Sequence, residues 1–105
     1  MTNKEIQDIF EKIFLEDDYV ETSRLHMPEF HISEFETLHV SLYGGMNGWG
    51  ESKDYLYDLY EIIDALELNG VNAYIVKMDI DALEDLFKVE LELRDLKEFY
   101  KDKPE

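Results

Sequence analysis

The apolar residues change their spacing along the chain, and this change most constrains the fold. Close to the N-terminus they recur every three to four residues, as one face of a helix requires, at Ile6, Ile9, Phe10, Ile13 and Phe14. Thr2 and Glu5 have the spacing of a capping box just before this stripe. Further along, Leu38, Val40 and Leu42 alternate with polar residues, which is the period of a strand. The chain therefore combines helices and strands.

A hairpin is expected between residues 19 and 45. Phe30 and Ile32 flank His31 in a second, shorter alternation, and the residues SEFE between the two runs can form its turn. Pro28 keeps the preceding piece out of a central strand, because proline cannot donate to the ladder. We predict two or three short antiparallel strands in this region.

A second, longer helix is predicted after the glycine-rich loop 44–50. Ser52 is a suitable N-cap, and Asn69 with Gly70 supplies a C-terminal stop. The predicted core-facing stripe consists of Leu56, Leu59, Tyr60, Ile63 and Leu66. The residues VNAYIVK, 71–77, then predict a mostly buried strand.

The last third of the chain fits two secondary structures. We favour a helix that is capped by Asp79 or Asp81 and broken near Lys88. This helix would use Leu83, Leu86, Phe87, Leu93, Leu96 and Tyr100. A strand is the alternative for residues 89–93, because apolar and charged residues alternate there. Together these patterns predict a single acidic α+β domain over residues 1–105, with a small antiparallel sheet of three to four strands packed by two to four helices.

The charge of the chain limits its partners. It has 26 acidic and 10 basic residues, a formal net charge of −16 with histidine neutral. Such a chain repels nucleic acid and anionic membranes, so we expect no direct binding to either. No run approaches the roughly 20 apolar residues of a membrane span, and the first residues do not form a signal peptide. This charge favours cations or a strongly basic protein as partners. The absence of cysteine fits a protein of the reducing cytoplasm.

The chain has no recognisable catalytic or nucleotide-binding motif. The loop GGMNGWG lacks the Gly-Lys-Ser/Thr of a phosphate-binding loop, and Glu51 and Asp54 would repel a phosphate. Residues 79–90 place acids at positions of a calcium loop, but Glu84 stands where that loop needs glycine. We therefore expect no enzymatic activity and no cofactor.

Three histidines, His26, His31 and His39, fall within the predicted β region. Two of them could approach each other across a hairpin, with Glu29 or Glu36 as an oxygen ligand. However, no HExxH or similar pattern fixes a ligand geometry. We predict no metal site, and a histidine-based metal-binding module is a minor alternative.

The second helix and the loop before it carry the expected contact surface. Asp54, Asp58 and Glu61 are spaced by four and three residues, so they should align as a row of carboxylates. Aromatic residues beside charged groups are typical of protein interfaces. The predicted partner-binding residues are Trp49, Glu51, Asp54, Tyr57, Asp58, Glu61 and Asp64.

These features favour a small acidic inhibitor that acts as a DNA mimic. It would occupy the groove of a basic nuclease or other nucleic-acid-binding protein. In size and charge, although in no shared motif, the chain resembles the phage-encoded class that includes anti-restriction and anti-CRISPR proteins. The alternative is an immunity protein or antitoxin that neutralises a nuclease toxin, which would use the same acidic surface.

Overall fold

A computed structural model of the protein describes residues 1–16, 25–44, 52–81 and 86–97. Within these ranges it has two helices, α1 (Asn3–Glu16) and α2 (Ser52–Leu68). The strands are β1 (Glu29–Ile32), β2 (Leu38–Gly44), β3 (Val71–Asp81) and β4 (Leu86–Asp95). The predicted α+β class, with a small antiparallel sheet, is confirmed. Neither helix in these ranges is both long enough and apolar enough to cross a membrane.

The four strands form one sheet in the order β1-β2-β4-β3, and all neighbours are antiparallel. Strands β1 and β2 are adjacent in sequence and pair as the predicted hairpin, and β3 and β4 form a second pair. Helix α2 connects β2 to β3, and β4 lies between these two strands. Because β2 and β3 both pair antiparallel with β4, they run parallel to each other, as in a split β-α-β unit.

Both helices pack on one apolar face of the sheet. The core joins residues of α1 and α2 to every second residue of the central strands β2 and β4. The core-facing residues of these two strands are Leu38, Val40, Leu42, Phe87, Val89, Leu91 and Leu93, all almost completely buried. The intervening residues, among them His39, Ser41, Glu90 and Glu92, lie on the other face, because successive side chains of a strand point to opposite sides. The result is a two-layer structure with a polar outer sheet face.

Helix α1 begins with the predicted capping box. The Thr2 amide donates to Glu5 Oε1 (3.1 Å), and the Glu5 amide donates to Thr2 Oγ1 (3.2 Å). The bond from the Thr2 backbone amide stabilises the carboxylate and lowers the pKa of Glu5. The predicted apolar stripe faces the core, and Phe10 meets Phe30 of β1 edge to face with ring centroids 5.5 Å apart. Aromatic contact therefore docks α1 on the hairpin.

Helix α2 ends where the sequence predicts but is rotated relative to the predicted stripe. Asn69 and Gly70 close its last turn by donating to the carbonyls of Leu66 and Glu67, and Gly70 has a φ of 81°. Its fully buried residues are Leu59, Ile62 and Leu66, whereas Tyr60, predicted to face the core, is 54% exposed. Apolar and aromatic residues occupy more of this helix than one face can hold. Contact with the sheet and α1 therefore selects the buried side.

The helix favoured for the last third of the chain is wrong for residues 79–81 and 86–95, whereas Leu96 and Lys97 are helical. Asp79 and Asp81 lie in β3, and residues 86–95 form β4, which pairs with β2 on one side and β3 on the other. In this strand Val89, Leu91 and Leu93 are buried. Pairing on both edges satisfies the backbone of β4, so the alternation prevails over the weaker helical spacing. Leu83 and Tyr100 lie outside the described residues.

Strand β3 is longer and more exposed than predicted. It extends beyond residue 77 to Asp81 and lies at the edge of the sheet. A register shift between Ile75 and Lys77 interrupts its pairing with β4. Tyr74, opposite Glu92, lies on the outer face, away from both helices, and is exposed, and Val76, at the register shift, is exposed as well. The prediction of a mostly buried strand is therefore wrong.

The orientation of α2 can be tested by shortening two of its leucines. Leu66 is 0% exposed and Leu68 is 88% exposed. We expect Leu66→Ala to lower the free energy of unfolding by about 2–5 kcal/mol, because it leaves a cavity in the core. The matched variant Leu68→Ala should change it by less than about 0.5 kcal/mol. Chemical denaturation of both variants measures the difference, and equal effects would contradict this orientation.

Candidate functional site

Several basic side chains of the described surface lie close to neighbouring acids. The pairs include Lys4 with Asp8 (2.8 Å), Lys77 with Asp79 (3.6 Å) and Arg94 with Glu92. The hydrogen bond to Asp8 raises the pKa of Lys4. With 26 acidic residues against 10 basic ones, such local pairing leaves a large excess of negative charge. The field around the protein therefore attracts basic partners.

One side of α2 presents tyrosines beside acids. Tyr57 is 66% exposed and Tyr60 is 54% exposed, and Glu61 and Asp64 are also exposed. Their positions follow the spacing i, i+3, i+4 and i+7, so all four lie on the same side of the helix. We call this set the α2 contact face. It combines two large amphipathic rings with two carboxylates on one regular element.

Asp58 does not belong to this surface, and its predicted place there is wrong. Its side chain is 1% exposed. It lies four residues before Ile62 and seven before Ala65, and residues so spaced share one side of a helix, here the side that faces the core. Asp58 has an interaction within the protein. The rotation of α2 thus removes Asp58 from the predicted row of carboxylates.

The other predicted contact residues divide into two groups. Tyr57, Glu61 and Asp64 are exposed on one side of α2, and their role in binding stays a prediction. Trp49 and Glu51 lie outside the described residues, as does the side chain of Asp54, whose backbone is in α2. Sequence reasoning missed Tyr60 because it assigned this residue to the core. Its place three residues after Tyr57 was the available signal.

A second polar cluster lies on the outer face of the sheet. His31 of β1 is directly opposite His39 of β2, with ring centroids 5.0 Å apart. His39 Nδ1 is 2.9 Å from Glu90 Oε2 of β4, and His39 Nε2 is 3.2 Å from Thr37 Oγ1. The two histidines therefore meet across the hairpin, and their acidic neighbour comes from a third strand.

Glu90 takes the place that the sequence suggested for Glu29 or Glu36. The sequence analysis missed Glu90 because it favoured a helix for the last third of the chain. As a strand, residues 86–95 bring Glu90 and Glu92 to the same side of the sheet as His39, with Glu92 directly opposite His39 in the β2–β4 register. The alternation of residues 89–93 was the signal that could have found both acids.

Comparison with known proteins assigns no family to this chain. No protein-family model matches it, and no match is found among curated proteins or solved structures. The chemistry of the two polar surfaces is therefore the basis for a functional proposal.

The burial of Asp58 predicts unequal effects for two aspartates of α2. We expect Asp58→Ala to lower the free energy of unfolding by about 1–3 kcal/mol, because a buried polar group that loses its partner keeps the cost of desolvation. The exposed Asp64, in the variant Asp64→Ala, should change stability by less than about 0.5 kcal/mol. Denaturation curves at neutral pH measure both, and a neutral Asp58→Ala variant would contradict the buried placement.

Proposed function

We propose that the protein binds a basic nuclease or other nucleic-acid-binding protein and blocks it through the α2 contact face. The supporting observation is the set of two exposed tyrosines and two carboxylates on one side of a helix in a chain of net charge −16. Such an inhibitor acts in the cytoplasm, as phage-type inhibitors of nucleases do. It needs no catalytic group of its own.

The two kinds of side chain on the contact face serve different steps of binding. The excess negative charge raises the rate of encounter with a basic partner and disfavours acidic ones. Tyr57 and Tyr60 then bury large rings while their hydroxyl groups stay able to form hydrogen bonds. Tyrosine is enriched among the few interface residues that contribute most of the affinity. Steering by charge and anchoring by tyrosine therefore act in sequence.

The composition of this face favours tyrosine anchoring over close imitation of a DNA strand. Asp58 is buried, so a row through Asp54, Asp58 and Glu61 is not presented to a partner. The remaining acids Glu61 and Asp64 are three residues apart, which is an axial rise of about 4.5 Å, and tyrosines flank them. A partner with aromatic-binding pockets within a basic surface fits this face better than one that reads a line of phosphates.

The proposal predicts that Tyr57 and Tyr60 contribute to partner binding and that Tyr74, which lies on β3, does not. The double variant Tyr57→Ala/Tyr60→Ala should weaken capture of a basic protein from lysate of the native host by at least tenfold, since truncation of an anchor costs about 2 kcal/mol or more. Tyr74→Ala is the matched control, because Tyr74 is 62% exposed on β3. Quantitative mass spectrometry of the captured proteins measures the ratio. Equal capture by all variants contradicts the role of α2.

The same capture with excess duplex DNA separates two modes of inhibition. Loss of the partner when DNA is added supports occupation of its nucleic-acid groove. Retention supports an immunity protein or antitoxin that neutralises a nuclease away from that groove. If no basic protein is enriched under either condition, the proposed function is wrong.

The carboxylates can be tested with a charge-matched pair of variants. Glu61→Gln/Asp64→Asn and Asp79→Asn/Asp81→Asn each remove two negative charges, the second pair from the exposed end of β3. With the captured partner purified, the first variant should lower the association rate more than the second and reduce its dependence on salt. Stopped-flow mixing at several ionic strengths measures both. Identical rates would show that only total charge matters, and would exclude a local role for Glu61 and Asp64.

A further inference from the structure

We propose that the outer face of the sheet binds a Zn²⁺ ion between His31, His39 and Glu90, contrary to the expectation from sequence that no metal site exists. These residues can each offer one ligand atom, and the three atoms lie within 4.8 Å of one another. Both helices pack on the opposite face of the sheet. The site is therefore separate from the α2 contact face, and the inference does not depend on the proposed inhibitor function.

Three adjacent strands position the ligands. His31 belongs to β1, His39 to β2 and Glu90 to β4, and these strands are neighbours in the sheet. In a tetrahedral site with metal–ligand bonds of about 2.0–2.1 Å, two ligand atoms are about 3.3–3.4 Å apart. The ligand atoms, within 4.8 Å of one another, are farther apart than this, and a change in the side-chain torsions of His31, which is exposed, would bring them closer.

His39 already has the orientation of a metal ligand. Its Nδ1 atom faces Glu90 Oε2 at 2.9 Å, slightly closer than two ligands of one ion, so an ion can replace the proton that these atoms share. Its Nε2 atom is 3.2 Å from Thr37 Oγ1 and 3.8 Å from Glu92 Oε2. A metal-bound histidine commonly donates its second N–H to such an oxygen, which fixes the ring.

The donor set selects the class of metal. Two imidazoles and one carboxylate form a typical three-residue zinc site, in which a water molecule takes the fourth position. Mg²⁺ and Ca²⁺ prefer oxygen ligands, so they should compete poorly here. Glu92 also lies close to the site, where it pairs with Arg94, and it is not needed as a ligand. His39 is buried and His31 is exposed, so an ion can enter from solvent.

The first test measures Zn²⁺ binding to the full chain by titration calorimetry in excess Mg²⁺, which occupies weak carboxylate sites. We expect one tightly bound ion per chain. His31→Ala and Glu90→Gln should each weaken Zn²⁺ binding by at least about tenfold. Loss of a residue that only hydrogen-bonds a metal ligand already lowers metal affinity by about that factor, and loss of a ligand should cost no less. His26→Ala is the matched control, because His26 is exposed and outside the cluster. It should bind Zn²⁺ as the unaltered protein does.

Two further measurements distinguish this site from general attraction of cations. Added Zn²⁺ should raise the melting temperature of the unaltered protein and of His26→Ala but not of His31→Ala, because binding to the folded state alone stabilises it. Bound Co²⁺ should give the strong visible absorption of a tetrahedral ion. The proposal is overturned if His31→Ala and Glu90→Gln bind Zn²⁺ as tightly as His26→Ala, or if Co²⁺ keeps the weak spectrum of its hydrated ion.

The two proposals fail independently of each other. The variant Tyr57→Ala/Tyr60→Ala should lose partner capture and keep Zn²⁺ binding, whereas His31→Ala should lose Zn²⁺ binding and keep partner capture. Loss of both functions in either variant would contradict the separation of the two surfaces.

Discussion

Strand β4 is paired along both edges and covered on one face by both helices. The two faces of the sheet, the apolar core face and the polar outer face, depend on the alternation of its residues. Val89, Leu91 and Leu93 point into the core, where they meet α1 and α2, while Glu90 and Glu92 point to the outer face beside His39. A shift of register by one residue would exchange these sets and bury two carboxylates. Hydrophobic burial on one side of β4 therefore also fixes the chemistry on the other.

Sequence reasoning succeeded where structure is decided locally. The capping box of Thr2 and Glu5 and the stop at Gly70 involve residues a few positions apart, so their spacing identifies them. It failed for β4, because the residues around Leu93 fit either a strand or a helix over a short range. The choice was made by pairing with β2 and β3, which are distant in sequence. A local pattern shows the alternation of β4 but not the distant strands that pair with it.

The candidate surfaces show the same division. Tyr57, Glu61 and Asp64 were expected on an exposed side of α2 and lie there. Asp58, expected on the surface, is buried, and Tyr60, expected in the core, is exposed. Each residue turns a helix by about 100°, so a small rotation about the axis reassigns the residues at the edges of a face. Sequence periodicity shows that a helix has two sides. The neighbouring elements determine where the border between them lies.

Separation of the two polar surfaces has a physical consequence for how they can influence each other. An ion held by His31, His39 and Glu90 would link β1, β2 and β4, whereas α2 packs on β3 and β4 through the core. Both surfaces connect to β4, and also to α1, which packs on α2 and meets Phe30 of β1 through Phe10. A bound ion would stabilise the folded sheet by mass action, in proportion to the logarithm of its concentration over its dissociation constant. It would not add a contact for a partner on α2, so any coupling has to pass through β4, α1 and the core residues between them.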